Sequence, residues 1–203
     1  MLVFDHIALA AATLEEGVAL AEEALGLPLA GGGQHARMGT HNRLCGMGDL
    51  YFEVIAIDPA APAPPHPRWF ALDAFAGRPR LTNWICRCDD LAAELVVSPP
   101  GTGQVMDFER GDFRWQMAVP ASGLLPYDGL FPALIRWQGS GHPVQRLPEA
   151  GLRLRRLEIA HPRADDLRAL LAPRLADARL AFVPGAPALR AQFDTPHGPR
   201  VLE

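Results

Sequence analysis

The chain has 203 residues and a net charge of −4, with apolar residues at 49% and charged residues at 21%. That length suits one large domain or two small ones, and the acidic balance excludes the basic surface that nucleic-acid binding requires. No apolar run approaches the roughly 20 residues of a membrane-spanning helix, and no basic segment leads into an apolar one at the N-terminus, so a cytoplasmic protein is expected.

"MLVFDHIALA" alternates like a strand, which places Val3, Ile7 and Leu9 on one face and Phe4, His6 and Ala8 on the other. Thr13 then reads as a helix N-cap, with Glu15 and Glu16 in the first turn where the helix dipole favours them. Helical spacing continues to a stop at Gly26. The glycine run 31–33 opens a loop, and "HNRLCGMG" and "LYFEVIAID" are strands joined by a Gly48-Asp49 turn. Residues 1–58 thus read as strand, helix, then two or three antiparallel strands.

A proline-rich connector follows, and 59–80 as a whole holds it and a short helix at "RWFALDAFAG". The layout restarts at "LTNWICRCDDLAAEL" and continues through three strands, "GQVMDFER", "DFRWQMAVP" and "FPALIRWQ", so 81–138 forms a second unit. A third, shorter one spans 152–203: a strand at "LRLRRLEIAH", a helix at "RADDLRALLAPRLADA", and two or three closing strands. Repetition of this kind places equivalent positions in equivalent environments.

Three residue groups offer chemistry. His6 and Glu53 each sit mid-strand in apolar surroundings, where a carboxylate costs several kcal/mol unless it is paired or binds a cation. Imidazole plus carboxylate suits a divalent transition metal such as Zn, Ni, Fe or Mn; it equally suits a buried hydrogen-bonded pair. "GGGQHARMGTHNR" lacks the lysine of a phosphate loop and does not open a helix, so no nucleotide cofactor is expected. Its His35, Thr40, His41 and Asn42 can either contact a ligand or satisfy the loop's own backbone. If the loop is a ligand clamp, Asn42→Ala costs about 1 kcal/mol of stability or less. Cys45, Cys86 and Cys88 form neither a disulfide framework nor a full metal set. No G-x-S-x-G elbow is present, and His161 and His197, each beside a proline, read as surface loop residues. The four tryptophans read as core or pocket wall.

The Asp5-His6 pair, the Gly-x-His-x-x-x-Gly-Thr-x-Asn-Arg-Leu segment and the Tyr-x-Glu strand, in that order, resemble the glyoxalase-like branch of the vicinal oxygen chelate superfamily. The resemblance implies an α+β fold of βαβββ modules paired into a curved, half-open, mainly antiparallel barrel. It also implies a divalent metal on His6 and Glu53, with Glu53 or another carboxylate as base. Its implied function is a lyase or isomerase reaction on a small molecule with vicinal oxygens. In the second module the repeat places Trp84 at the position of His6, and Ile135 or Arg136 at that of Glu53, so half of a metal site is missing. Glu158 and Glu203 hold the corresponding places in the third unit. On this reading Trp84, Trp115 and Arg136 line the far pocket wall, Arg136 facing a ligand carboxylate. The alternative is a non-catalytic binding protein that keeps the pocket without the metal. Neither reading involves nucleic acid or membrane, and a homodimer would bury the open sheet edges.

Overall fold

The computed structural model describes residues 1–203. The first module consists of β1 (Val3–Ala10), α1 (Leu14–Leu25), β2 (Ala30–His35), β3 (Thr40–Met47) and β4 (Leu50–Ile57). The second has β5 (Arg80–Arg87), α2 (Leu91–Val96), β6 (Gln104–Arg110), β7 (Phe113–Val119) and β8 (Ala133–Gln138). Their strands make one eight-stranded sheet in the order β2-β3-β4-β1-β5-β8-β7-β6, with β1 and β5 antiparallel at its centre. The third unit, β9 (Arg153–Ala160), α3 (Ala164–Leu171), β10 (Leu180–Val183), β11 (Ala188–Thr195) and β12 (Gly198–Leu202), forms a separate four-stranded sheet. Modules one and two therefore pair with each other, and the fold is mixed α+β.

Local chemistry accounts for the first helix. The Thr13 hydroxyl accepts the backbone N–H of Glu16, and Gly26 closes the helix at a positive φ of 68°. Its Gly17 lies against the sheet: a Cβ there would stand 2.6 Å from Val54 Cγ1 and 2.7 Å from the Ala11 Cβ. Gly17→Ala gains roughly 1 kcal/mol of helix propensity. The clash with a close-packed strand costs about 1–3 kcal/mol, and urea denaturation is expected to show net destabilisation. The third helix stops at Leu171, short of Pro173, rather than running through "PRLADA".

Two apolar clusters sandwich the large sheet. The outer one joins Phe4, Ile7, Leu9, Phe52, Val54 and Trp84 to α1, α3 and the third unit. Phe52 meets Phe193 edge-on at 6.2 Å, and Trp84 meets Phe182 at 6.1 Å. The inner one fills the concave face with Ala8, Ala10, Ile55, Ile85, Trp115 and Ile135.

Two bulges in the β1–β5 ladder correct the strand faces expected from simple alternation. Phe4 pairs with Cys86 and His6 with Ile85, which leaves Asp5 unpaired; Ala8 pairs with Asn83 and Leu9 with Leu81, which leaves Thr82 unpaired. The extra residue turns Phe4 to the same side as Ile7, away from His6. It is Ile85, not Trp84, that stands opposite His6 on the inner face.

A further correction concerns the glycine run. Gly31–Gly33 lie within β2, an edge strand paired to β3, and only the short turn between His35 and Thr40 is a loop. The "RWFALDAFAG" segment is a broken 3-10 turn over Trp69–Ala74, with Phe70 and Ala71 both at positive φ. His161 is buried rather than at the surface: its Nε2 lies 3.0 Å from Asp128 Oδ2, and its Nδ1 accepts the backbone N–H of Arg163.

Candidate active site

Strands β1, β3 and β4 each contribute polar side chains to the concave face. His6 and Glu53 are 4% and 5% exposed, and His6 Nε2 lies 3.6 Å from Glu53 Oε2. The partner of each group orients it. His6 Nδ1 is 2.6 Å from Asp5 Oδ1; a carboxylate accepts only, so Nδ1 carries the proton and Nε2 is left facing Glu53. Asn42 donates from Nδ2 to Glu53 Oε1 at 2.6 Å, fixing the other end of the carboxylate. Tyr51 stacks on the His6 ring at 4.2 Å and brings its hydroxyl to 3.4 Å from Nε2.

Asp5 holds this arrangement in place. Its carboxylate is fully buried, and besides His6 it accepts from His142 Nε2 (2.9 Å), Trp137 Nε1 (3.2 Å) and Arg87 Nη1 (3.2 Å). Burial pushes its pKa up, but the hydrogen bonds and charges of His142 and His6 outweigh that and hold the carboxyl well below the usual range. Burial, reinforced by the charges of Asp5 and Glu53, raises the Tyr51 phenol, so it remains a donor. His35 is pulled down to about 3 by burial and by the nearby Arg110 charge, which keeps it neutral. The three cysteines are buried, burial raises every thiol, and none lines this cavity.

The cavity over these groups measures about 30 Å³, enough for one water. His35, Asn42 and Trp115 line it beside His6 and Glu53. Thr40 stands behind His35, with Oγ1 3.1 Å from Nδ1. Three of the expected residues point elsewhere. Trp84 is in the outer core and donates to the Leu130 carbonyl. Arg136 is exposed and donates to Gln116 Oε1. His41 alternates with Thr40 and Asn42 along β3 and is absent from the cavity lining. Glu158 lies on β9 and Glu203 directly follows β12, and both pair with Arg190. The guanidinium at the site is that of Arg110, which reaches from β6 across the sheet's open side to Asn42 Oδ1 at 3.0 Å. Trp69, Tyr51 and Trp137 also line the cavity. Tyr51 was legible as the same-face neighbour of Glu53; Arg110 and the bonds to Asp5 depend on contacts between distant segments.

Asn42 is thus a structural hub on a strand. Its Oδ1 also accepts the Gly33 N–H at 2.9 Å. Removing the side chain leaves a backbone donor and a buried carboxylate without partners, so Asn42→Ala is expected to cost about 1–3 kcal/mol. An unchanged melting temperature would contradict this and restore the clamp reading.

The donor set does not fit a divalent ion. No group of three or more His, Cys, Asp or Glu side chains is placed to hold one. The wall facing His6 and Glu53 presents Ile85 and Ile135 where further ligands would stand, and the Arg110 cation approaches Asn42 beside Glu53.

Paired βαβββ modules around a concave polar cluster are the architecture of the vicinal oxygen chelate superfamily. The chain belongs to the glyoxalase-like domain family of that superfamily, whose model matches residues 4–175. No curated protein matches the chain significantly. A hypothetical protein from Staphylococcus aureus is similar in structure, with a TM-score of 0.58 and 16% identity over 84% of this chain and 74% of that one. Methylmalonyl-CoA epimerase from Mycobacterium tuberculosis gives a TM-score of 0.44 at 16% identity, covering 68% and 88%. Such likeness extends to the fold alone. No helix of the chain is long and apolar enough to cross a membrane.

Proposed function

We propose that the protein is a small-molecule isomerase or lyase of the glyoxalase-like class, using the His6–Glu53 pair for proton transfer next to a carbonyl. The observation that carries this is the oriented dyad: a carboxylate and an imidazole nitrogen 3.6 Å apart, each fixed from behind by Asn42 and Asp5. Glu53 Oε2 removes the proton from the carbon α to the carbonyl. The C–H electron pair moves into the new C=C bond, and the carbonyl π pair moves onto oxygen as an enolate. His6 Nε2 is placed to exchange that proton with Glu53. Tyr51 O–H and the Trp69 indole N–H, a buried donor without a protein partner, are available to the enolate oxygen. Returning the proton to the same or the neighbouring carbon gives the isomer. Arg110 suits a carboxylate on the substrate, so 2-oxo and 2-hydroxy acids, with their vicinal oxygens, are the class to test; the cavity of about 30 Å³ has to open to admit one. No step passes through a metal, because the residues supply two ligands only.

Incubation of a panel of such acids with the protein in D2O, followed by proton NMR, tests the proposal. Deuterium incorporation at the α or adjacent carbon in at least one acid is expected, with undiminished rate after dialysis against a chelator. Binding without exchange across the panel would overturn the catalytic reading.

A further inference from the structure

A second, much larger concavity lies outside the site. A groove of about 1220 Å³ runs between the start of β5, the 124–130 loop, the connector turn Phe70–Phe75 and the edge strand β12. It exceeds the roughly 300–1,000 Å³ usual for small-molecule pockets. Its lining is mostly apolar, and two of its residues, Leu124 and Val201, are large hydrophobics 49% and 43% exposed. The groove and the cavity over His6 and Glu53 share one wall residue, Phe70. Phe70 adopts φ 60° and ψ 21°, a conformation that a bulky side chain rarely takes. It is held by stacking on Trp69 at 5.8 Å and by the Ala71 N–H bond to the Gly123 carbonyl.

Two polar features point to an occupant. Asn83 lines the groove, is 3% exposed and donates to the Gly129 carbonyl, yet its Oδ1 is buried with no donor. A buried acceptor without a partner costs free energy that a ligand N–H or O–H would recover. The charges in the lining are largely spoken for: Glu203 pairs with Arg190 and Asp128 with His161. Arg80 is tied to the Ala76 and Arg78 carbonyls and lies over the Phe75 ring, which leaves Arg78 as the guanidinium in the lining to meet an anionic end on the ligand.

We propose that this groove binds the non-reacting body of the substrate: an elongated amphiphile with an apolar segment, a hydrogen-bond donor for Asn83 and an anionic end for Arg78. Phe70 is the door through which its compact carbonyl end reaches His6 and Glu53. The direction of entry rests on the proton-transfer reading above; the groove's binding does not.

N-octanoylglycine carries those three features and serves as the probe in calorimetric titration. Saturable binding at one site is expected, weakened at least tenfold by Asn83→Ala and by Leu124→Arg. Glu53→Gln should change it less than twofold, so the groove is tested even if the proposed chemistry fails. The door is read from acrylamide quenching of tryptophan fluorescence, since Trp69, Trp115 and Trp137 all line the inner cavity. Phe70→Gly, which suits the positive φ and so preserves the backbone, should raise the quenching constant about twofold. Saturating N-octanoylglycine should abolish the increase. Absence of binding, unchanged binding in both groove variants, or unaltered quenching in Phe70→Gly would each overturn the proposal. So would sedimentation showing a dimer that Leu124→Arg dissociates, because the groove would then hold a second copy of the chain.

Discussion

Replacing Glu53 by Gln is expected to slow enzyme-dependent deuterium exchange by about 10²–10⁴-fold, the usual contribution of a positioned general base. Gln keeps the shape and can still accept the Asn42 N–H that now reaches Oε1 at 2.6 Å. It cannot take a proton from carbon. Stability should therefore change by no more than about 1 kcal/mol, since a neutral amide oxygen takes the place of the carboxylate oxygen at the same bond and no buried charge is left behind. His6→Gln should produce a loss of similar size. The two groups are 3.6 Å apart and act on one proton, so the double variant should be little worse than either single one. Multiplicative losses would mean that the residues act in separate steps. Exchange within threefold of the parent in Glu53→Gln would remove Glu53 from the chemistry altogether.

Much of this site was legible because strand periodicity has a long reach. Leu50–Ile57 alternates cleanly, so Glu53 could be placed opposite Phe52 and Val54 from residue order alone, and both neighbours do lie in the outer core. The helix start at Thr13 was equally readable, since a hydroxyl before two glutamates has one local use. What alternation cannot show is a bulge. One unpaired residue at Asp5 shifts Phe4 to the far face, and the offset between β1 and β5 exchanges Trp84 for Ile85 at the inner wall. The glycine run forms a strand where its composition predicts a loop, for a related reason. Glycine is disfavoured in strands, but here Gly32 approaches the Asn42 carbonyl so closely that a Cβ would stand 2.1 Å from its oxygen. Arg110 was invisible for a third reason. Its position follows from the curl of the sheet, which brings β6 toward β2, and not from any property of the local sequence. The inner site therefore divides into strand-borne groups found by spacing and cross-barrel groups found only by folding.

The Asp5 carboxylate supports both the fold and the chemistry, and Asp5→Asn is expected to damage each in a separable way. Four donors converge on it from β1, β5, β8 and the segment after β8. Asn offers one acceptor oxygen and turns an NH2 toward groups that are themselves donors. Breaking a buried, fully paired charge on one side costs about 3–5 kcal/mol, so the urea midpoint at pH 7 should fall sharply. The pH dependence has a fixed sign. The folded-state pKa of Asp5 is depressed, so its stabilisation is fully present above the unfolded carboxyl value of about 3.9 and is lost as pH falls through the folded value. The stability gap between parent and variant should thus be widest near neutrality and narrow below about pH 4. A gap that widens on acidification would show that the charge on Asp5 is not what stabilises the fold. The chemical consequence follows from the tautomer. The Asn amide can donate to His6 Nδ1, which moves the ring proton to Nε2 and removes the acceptor that faces Glu53. Exchange by the surviving folded protein should then fall by about 10²–10⁴-fold, and 15N NMR of His6 should report the switched tautomer. An unswitched ring with normal exchange would leave Asp5 a purely structural anion.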